Sequence, residues 1–195
     1  MKTMLENMKI VLASASPRRK ELISLICEGV EIRPAECDET LPEGIGARDA
    51  VEYLSKIKND AARKLSAENE MVISADTVVA VDDKILGKPV DKSDARRMIS
   101  LLNGRTHQVY TGVTISFENN VITFSEKTDV TFFQLTNEEI ESYISTSEPY
   151  DKAGAYGIQG KASLLVSGIN GDYFNVVGLP VARLNRALKE LVEMQ

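Results

Sequence analysis

MVISADTVVAVDDKILGKPVD, residues Met71 to Asp91, is the segment from which the fold of this chain can be read. It opens with Met71-Val72-Ile73, an apolar, β-branched run of the kind that forms a buried strand. The run ends in Ser74-Ala75-Asp76-Thr77 rather than in a turn, and a second apolar run, Val78-Val79-Ala80-Val81, follows at once. Asp76 therefore lies between two segments that both favour the interior. An ionised carboxylate is costly to bury unless it is paired, hydrogen-bonded or bound to a metal. Two readings are open at this point. Asp76 is either a strand-end residue bonded to nearby backbone amides, or a carboxylate at the C-terminal edge of a central strand, facing a cleft.

Downstream, Asp82-Asp83-Lys84 reads as a hairpin turn. Pairing of 77–81 with 85–88 would bring Lys88 back towards Asp76. Upstream, Ala47 to Leu65 is helical, with Ala47, Val51, Leu54, Ala61 and Leu65 on one stripe. Lys58 falls on that stripe, so it either snorkels to the rim or projects into a cleft. Before this helix, the acidic, Pro- and Gly-rich loop 34–46 carries Glu36, Asp38 and Glu39. These are solvated charges, or one of them reaches a metal.

Lys9 to Ala13 reads as a first strand. Ser16 is a natural N-cap for the helix that follows, and Pro17 suits its first position. Arg18, Arg19 and Lys20 crowd the first turn, where the helix dipole disfavours cations. That placement fits either a solvated basic turn or an anion site. Asp91 to Leu102 reads as a helix, followed by two long strands, Thr106–Phe117 and Val121–Gln134, about an Asn119-Asn120 turn. Thr136 and Glu139 form a capping box. The glycine-rich segment Tyr150–Lys161 lets backbone approach a ligand closely, although it fails as a P-loop because Ala155 and Ala162 replace required residues. Leu164–Ile169 and Tyr173–Val177 read as a last hairpin about Asn170-Gly171, before a helix from Pro180 carrying Leu184, Leu188 and Leu191.

The chain has 195 residues, 43% of them hydrophobic, enough for a substantial core within one domain spanning 1–195. A net charge of −6 gives no general attraction for nucleic acid or anionic membrane. Cys27 and Cys37 lack C-x-x-C spacing and read most simply as free thiols of a reducing cytosol, the alternative being a disulfide between them. No apolar run approaches the roughly 20 residues of a membrane span, and the Met1–Met8 leader does not read as a signal peptide. A cytoplasmic location is therefore expected. With a single histidine, His107, neither a nitrogen–sulfur zinc site nor a Ser-His-Asp triad is expected. His107 reads as structural.

Four motifs occur together: S-x-S-P-R-R at Ser14–Arg19, S-A-D-T at Ser74–Thr77, G-K-P at Gly87–Pro89 and D-K-A-G-A-Y-G-I-Q-G at Asp151–Gly160. In this order, over about residues 9 to 185, the chain resembles the Maf family of nucleoside triphosphate pyrophosphatases. The resemblance implies an α/β protein with a long bent mixed β-sheet flanked by helices, two lobes and a central cleft, of the Maf/ITPase-like kind. It implies a homodimer, a divalent metal cation of the Mg2+ or Mn2+ type, and cleavage between the α- and β-phosphates of a nucleotide. The family's general base and metal-associated carboxylate matches Asp76, and its second acidic position matches Glu39. Its phosphate-facing positions match Ser14, Arg19, Lys58 and Lys88, and its specificity positions match Arg18, Thr77 and Gln159. Around Lys58 the family usually reads E-K-A, whereas this chain has Ile57-Lys58-Asn59.

Arg18-Arg19, Thr77 and Gly157–Gly160 look like the branch acting on dTTP and UTP, not the 7-methylguanosine branch, which carries S-D-Q at Ala75–Thr77. The Gln159 amide offers a donor and an acceptor side by side, matching the carbonyl and ring N–H of uracil or thymine if Thr77 and Arg18 hold it in one orientation. Alternatively, Gln159 only braces its loop. The rival function is a non-catalytic nucleotide-binding regulator, for example of cell division.

Overall fold

The computed structural model describes residues 8–193. Residues 1–7, which make up most of the leader, and 194–195 lie outside them. Among the described residues the elements are β1 (Lys9–Leu12), α1 (Pro17–Ile23), β2 (Glu31–Ile32), α2 (Ala47–Arg63), β3 (Glu70–Val81) and β4 (Lys84–Leu86). They continue with α3 (Lys92–Leu102), β5 (Thr106–Phe117), β6 (Asn120–Phe132), α4 (Asn137–Ile144), β7 (Val166–Asn170), α5 (Tyr173–Val177) and α6 (Val181–Glu193). Three 3-10 turns, Glu148–Asp151, Ala153–Ala155 and Gly160–Leu164, separate α4 from β7. The protein is a mixed α/β structure whose seven-stranded sheet runs β2-β1-β3-β5-β6-β7, with β4 added beside β3. β1 pairs in parallel with β2 and β3, and the remaining pairs are antiparallel.

The two apolar runs around Asp76 are one unbroken strand of 12 residues, not two strands with Asp76 at an end. β1 pairs with β3 only as far as Ile73, and β4 joins the same edge only from Val79. Ser74 to Val78 are thus left without a strand on that edge, and there the sheet opens. The period-2 alternation of a strand gives the two faces of β3 different partners. Met71, Ile73, Ala75, Val79 and Val81 enter the main core with Leu102, Leu184, Leu188 and Leu191. Val72 and Val78 meet α2 on the other face, through Ala62 and through Val51 and Leu54.

α2 sits unusually close to the sheet. Asp76 is directly opposite Gly112 on β5, and a Cβ at Gly112 would stand 2.2 Å from the Val51 carbonyl oxygen. The helix ends at Arg63, not Leu65, which is exposed. Its sheet-facing stripe runs through polar residues as well as the expected apolar ones. The buried Asn59 amide donates to the Val72 and Thr114 carbonyls at 3.0 and 3.1 Å. That is the physical role of Asn59, one of the two residues beside Lys58 at which this chain departs from the family pattern.

Two expectations about turns and strands are corrected. The β5–β6 turn is Glu118-Asn119, with Glu118 at φ 51°, and Asn120 already belongs to β6. Tyr173–Val177 is a helix, not the second strand of a hairpin. Asp172 caps it by accepting from the Phe174 N–H, and Asn175 anchors it by donating to the Val109 carbonyl. The β-branched pair Val176-Val177 mimicked a strand, but the cap and this anchor override that propensity.

His107 is structural. Its ring is buried, 2.6 Å from the Tyr156 hydroxyl, and meets Phe132 edge-on at 5.0 Å. Burial pushes the imidazole pKa down to about 4. The unfolded chain takes up this proton near pH 6.5, so the contribution is complete above that pH and is lost as pH falls towards 4. Unfolding free energy measured by urea titration should drop by about 2 kcal/mol from this group between pH 7 and 5. His107→Gln should flatten that part of the profile, and parallel profiles for the two proteins would refute the assignment.

Candidate active site

Within the opening in the sheet, Asp76, Thr77 and Val78 line the floor of a cleft of about 670 Å³. Its walls come from the loop before α2, from β4 and the residues after it, and from the segment between α4 and β7. A volume of that size suits a nucleotide-sized ligand.

Asp76 faces α2. The Lys58 ammonium donates to Asp76 Oδ1 and stands 2.9 Å from Glu39 Oε2. Burial alone disfavours the ammonium, but Asp76 and Glu39 outweigh it and hold the Lys58 pKa above its ordinary value. Of the four carboxylates in the acidic loop, Glu36, Asp38, Glu39 and Glu43, only Glu39 reaches this point. Asp38 instead closes a local turn by accepting from the Thr40 N–H and hydroxyl at 2.9 and 2.6 Å. The Lys58 question raised by the sequence is therefore resolved: the side chain projects to the cleft and meets carboxylates there.

Thr77 faces the opposite way. Its hydroxyl accepts from Arg19 Nη2 at 3.0 Å and lies 2.9 Å from the hydroxyl of Thr111, its cross-strand partner. Arg19 also donates through Nε to the Gly178 carbonyl at 2.9 Å and through Nη1 to Ser14 Oγ at 3.3 Å. Three of its five N–H groups are thus directed to protein atoms. Ser14 stands behind Arg19 and is not on the cleft wall. Arg18 lies 3.6 Å from Asp151, so the basic first turn of α1 finds protein partners as well as facing the cleft.

Lys88 and Gln159 line the cleft with exposed side chains. The Gln159 amide neither caps the 3-10 turn it precedes nor bonds to Thr77 or Arg18, whose partners are those just given. The structure thus gathers Arg18, Arg19, Glu39, Lys58, Asp76, Thr77, Lys88 and Gln159 around one cleft.

Sequence reasoning missed Glu148 and Thr111. Glu148 accepts from the Lys161 and Ala162 N–H groups at 2.9 and 3.0 Å, fixing the loop that carries Gln159. No spacing signal marks either residue, because their contacts depend on loop path and strand register.

Asp76 and Glu39 form an all-oxygen donor pair. Among the described residues no group of three or more His, Cys, Asp or Glu is clustered to cage a metal. This donor set fits a magnesium- or manganese-type ion, which takes one or two carboxylates and completes its shell with water and substrate phosphates. It does not fit zinc, which favours nitrogen and sulfur.

A mixed α/β fold with a charged, nucleotide-sized cleft at a break in its sheet defines the class of protein. The Maf-like protein family matches residues 9–191, and the chain belongs to that family. A dTTP/UTP pyrophosphatase of Bacillus cereus is 48% identical over 182 residues, covering 93% of this chain and 95% of that protein. The dTTP/UTP pyrophosphatases of Bacillus cytotoxicus and Bacillus mycoides are 49% and 50% identical over the same shares of each chain. The solved structure of the Staphylococcus aureus Ham1 protein aligns with a TM-score of 0.50 at 14% identity, covering 93% of this chain and 98% of that one. That similarity is one of fold. No helix among the described residues is long and apolar enough to cross a membrane.

Proposed function

We propose that this protein is a nucleoside triphosphate pyrophosphatase that hydrolyses dTTP and UTP to the monophosphate and pyrophosphate. The names of its relatives supply the substrate class. The observation that carries the chemistry is the Asp76-Thr77 pair, two adjacent residues on opposite faces of a strand whose edge is open to the cleft. On the Asp76 face stand Lys58, a cation suited to phosphates, and Glu39, a carboxylate suited with Asp76 to a divalent cation. On the Thr77 face stand uncharged hydroxyls backed by Arg19, together with the segment carrying Gln159, groups suited to a base.

In this reading Asp76 is the general base. Water attacks the α-phosphorus, an O–P bond forms, the bond to the bridging oxygen breaks, and pyrophosphate leaves while Asp76 takes the proton. Without nucleotide, Lys58 holds Asp76; triphosphate oxygens compete for the same ammonium and free the carboxylate to accept the proton. Lys58, Lys88 and the Arg18 guanidinium neutralise charge that builds on the phosphates. Asp76 and Glu39 would hold the divalent cation, which supplies Lewis-acid stabilisation of the phosphoryl oxygens. We read the chain as a single 1–195 unit acting as a homodimer in the cytosol, where its two free cysteines are at home. We assign it no nucleic-acid partner.

Product analysis tests the bond assignment. dTTP should yield dTMP and pyrophosphate in equal amounts, and dTDP with orthophosphate would overturn it. Gln159→Ala should erode the preference for dTTP and UTP over purine triphosphates by roughly tenfold or more, because a site built to hydrogen-bond one edge loses its discrimination with that contact. The divalent-cation concentration for half-maximal activity should stay within about twofold of wild type, since Gln159 is not among the carboxylates assigned to the ion. Unchanged preference in the folded variant would show that Gln159 does not read the base.

A further inference from the structure

We infer that Thr111, buried behind the cleft wall, fixes the direction of the Thr77 hydroxyl, so that Thr77 can only accept a hydrogen bond from a bound base and thereby selects a ring N–H over a bare ring nitrogen. The inference rests on the proposed pyrimidine triphosphate activity and deepens it.

The argument is a count of protons. Thr77 Oγ1 and Thr111 Oγ1 are 2.9 Å apart, and Thr111 Oγ1 is 2.9 Å from the Asn175 carbonyl oxygen. Arg19 Nη2 stands 3.0 Å from Thr77 Oγ1. A carbonyl oxygen only accepts and a guanidinium only donates. The single Thr111 proton must therefore lie on the Asn175 contact, because otherwise two oxygens would face each other at hydrogen-bond distance with no proton between them. The Thr111–Thr77 contact then needs the Thr77 proton. Arg19 takes one Thr77 lone pair, and the remaining lone pair is what Thr77 offers to the cleft it lines.

Thr111 is fully buried and Asn175 is held by its own amide bonds to the Val109 carbonyl and the Thr128 hydroxyl. The chain from Asn175 through Thr111 to Thr77 is therefore anchored in the core, and its direction does not adapt to the ligand. An acceptor in this position suits uracil and thymine, which carry hydrogen on the ring nitrogen between their two carbonyls. Cytosine presents a bare nitrogen there and would face Thr77 lone pair to lone pair. Leaving such buried polar groups unpaired is how a site rejects an analogue strongly.

Thr111→Val keeps the shape and removes the hydroxyl, which frees the Thr77 proton to turn towards the ligand. With the full chain and magnesium, kcat/KM is measured for dTTP and dCTP. The wild type should favour dTTP by about a hundredfold or more. Thr111→Val should lower that ratio by roughly tenfold, chiefly by gaining dCTP hydrolysis. Thr111→Ser, which restores the hydroxyl, should return the ratio to the wild-type range. If the packed core rejects valine, Thr111→Ala removes the same hydroxyl and gives the same reading. A ratio unchanged in Thr111→Val or Thr111→Ala, or lost equally in Thr111→Ser, overturns the inference while leaving the activity itself standing. A wild type inactive on dTTP overturns the proposed function and this inference with it.

Discussion

Asp76→Asn should lower kcat/KM for dTTP by about a hundredfold or more, the scale for losing a positioned acid–base group, while the protein stays folded. The substitution keeps the shape of the side chain but removes the proton acceptor and one of the two carboxylates assigned to the cation. Breaking a buried ion pair is costly when it strands a charge. Here Lys58 retains Glu39 at 2.9 Å, so the ammonium is not left alone. The asparagine carbonyl can still accept from Lys58, and the chain on either side of position 76 remains in the β3–β5 ladder. Thermal unfolding and turnover are measured on the same sample. A folded variant with near wild-type turnover would remove Asp76 from the mechanism.

Removing divalent cations with excess chelator should abolish turnover, and magnesium or manganese should restore it. The cleft offers Lys58, Lys88, Lys152, Arg18 and part of Arg19 as positive charge; in the proposed mechanism such cations neutralise phosphates and do not activate water. Asp76 and Glu39 add only oxygen donors, so zinc should restore activity poorly. Atomic absorption on the treated protein confirms that metal is gone. Full activity in such a sample would show that the two carboxylates have been misread.

Much of the fold is written in local patterns. The apolar runs of β3 form a strand, and the capping box at Thr136 and the Ser16 cap start the helices expected of them. What the patterns do not reveal is where a neighbouring strand stops. Asp76 looks like a strand-end residue because a charge interrupts an apolar run. In the folded chain it sits mid-strand, where β1 has ended and β4 has not begun. Register between β1 and β3 decides that, and register is set by long-range packing.

The same limit hides Thr111 and Glu148. One acts through a cross-strand pair 34 residues away, the other by turning back on amides 13 and 14 residues later. α5 illustrates the reverse error, in which a local β-branched signal is outweighed by Asp172 and Asn175. Four charged residues of the cleft stand out because their placement breaks local rules: Asp76 among apolar neighbours, Lys58 on a core-facing stripe, and Arg18 and Arg19 at a helix N-terminus; Glu39 and Lys88 break none, and Glu148 carries no local signal.

Wild-type protein supplied with magnesium and presented separately with dTTP, UTP, dCTP, ATP and GTP, with released pyrophosphate as the readout, bears on the whole assignment. Pyrophosphate should be released rapidly from dTTP and UTP and far more slowly from the other three. Tight binding of dTTP with no pyrophosphate released would contradict catalysis and mark a nucleotide-binding regulator, and equal release from all five would contradict the base-reading face built around Thr77.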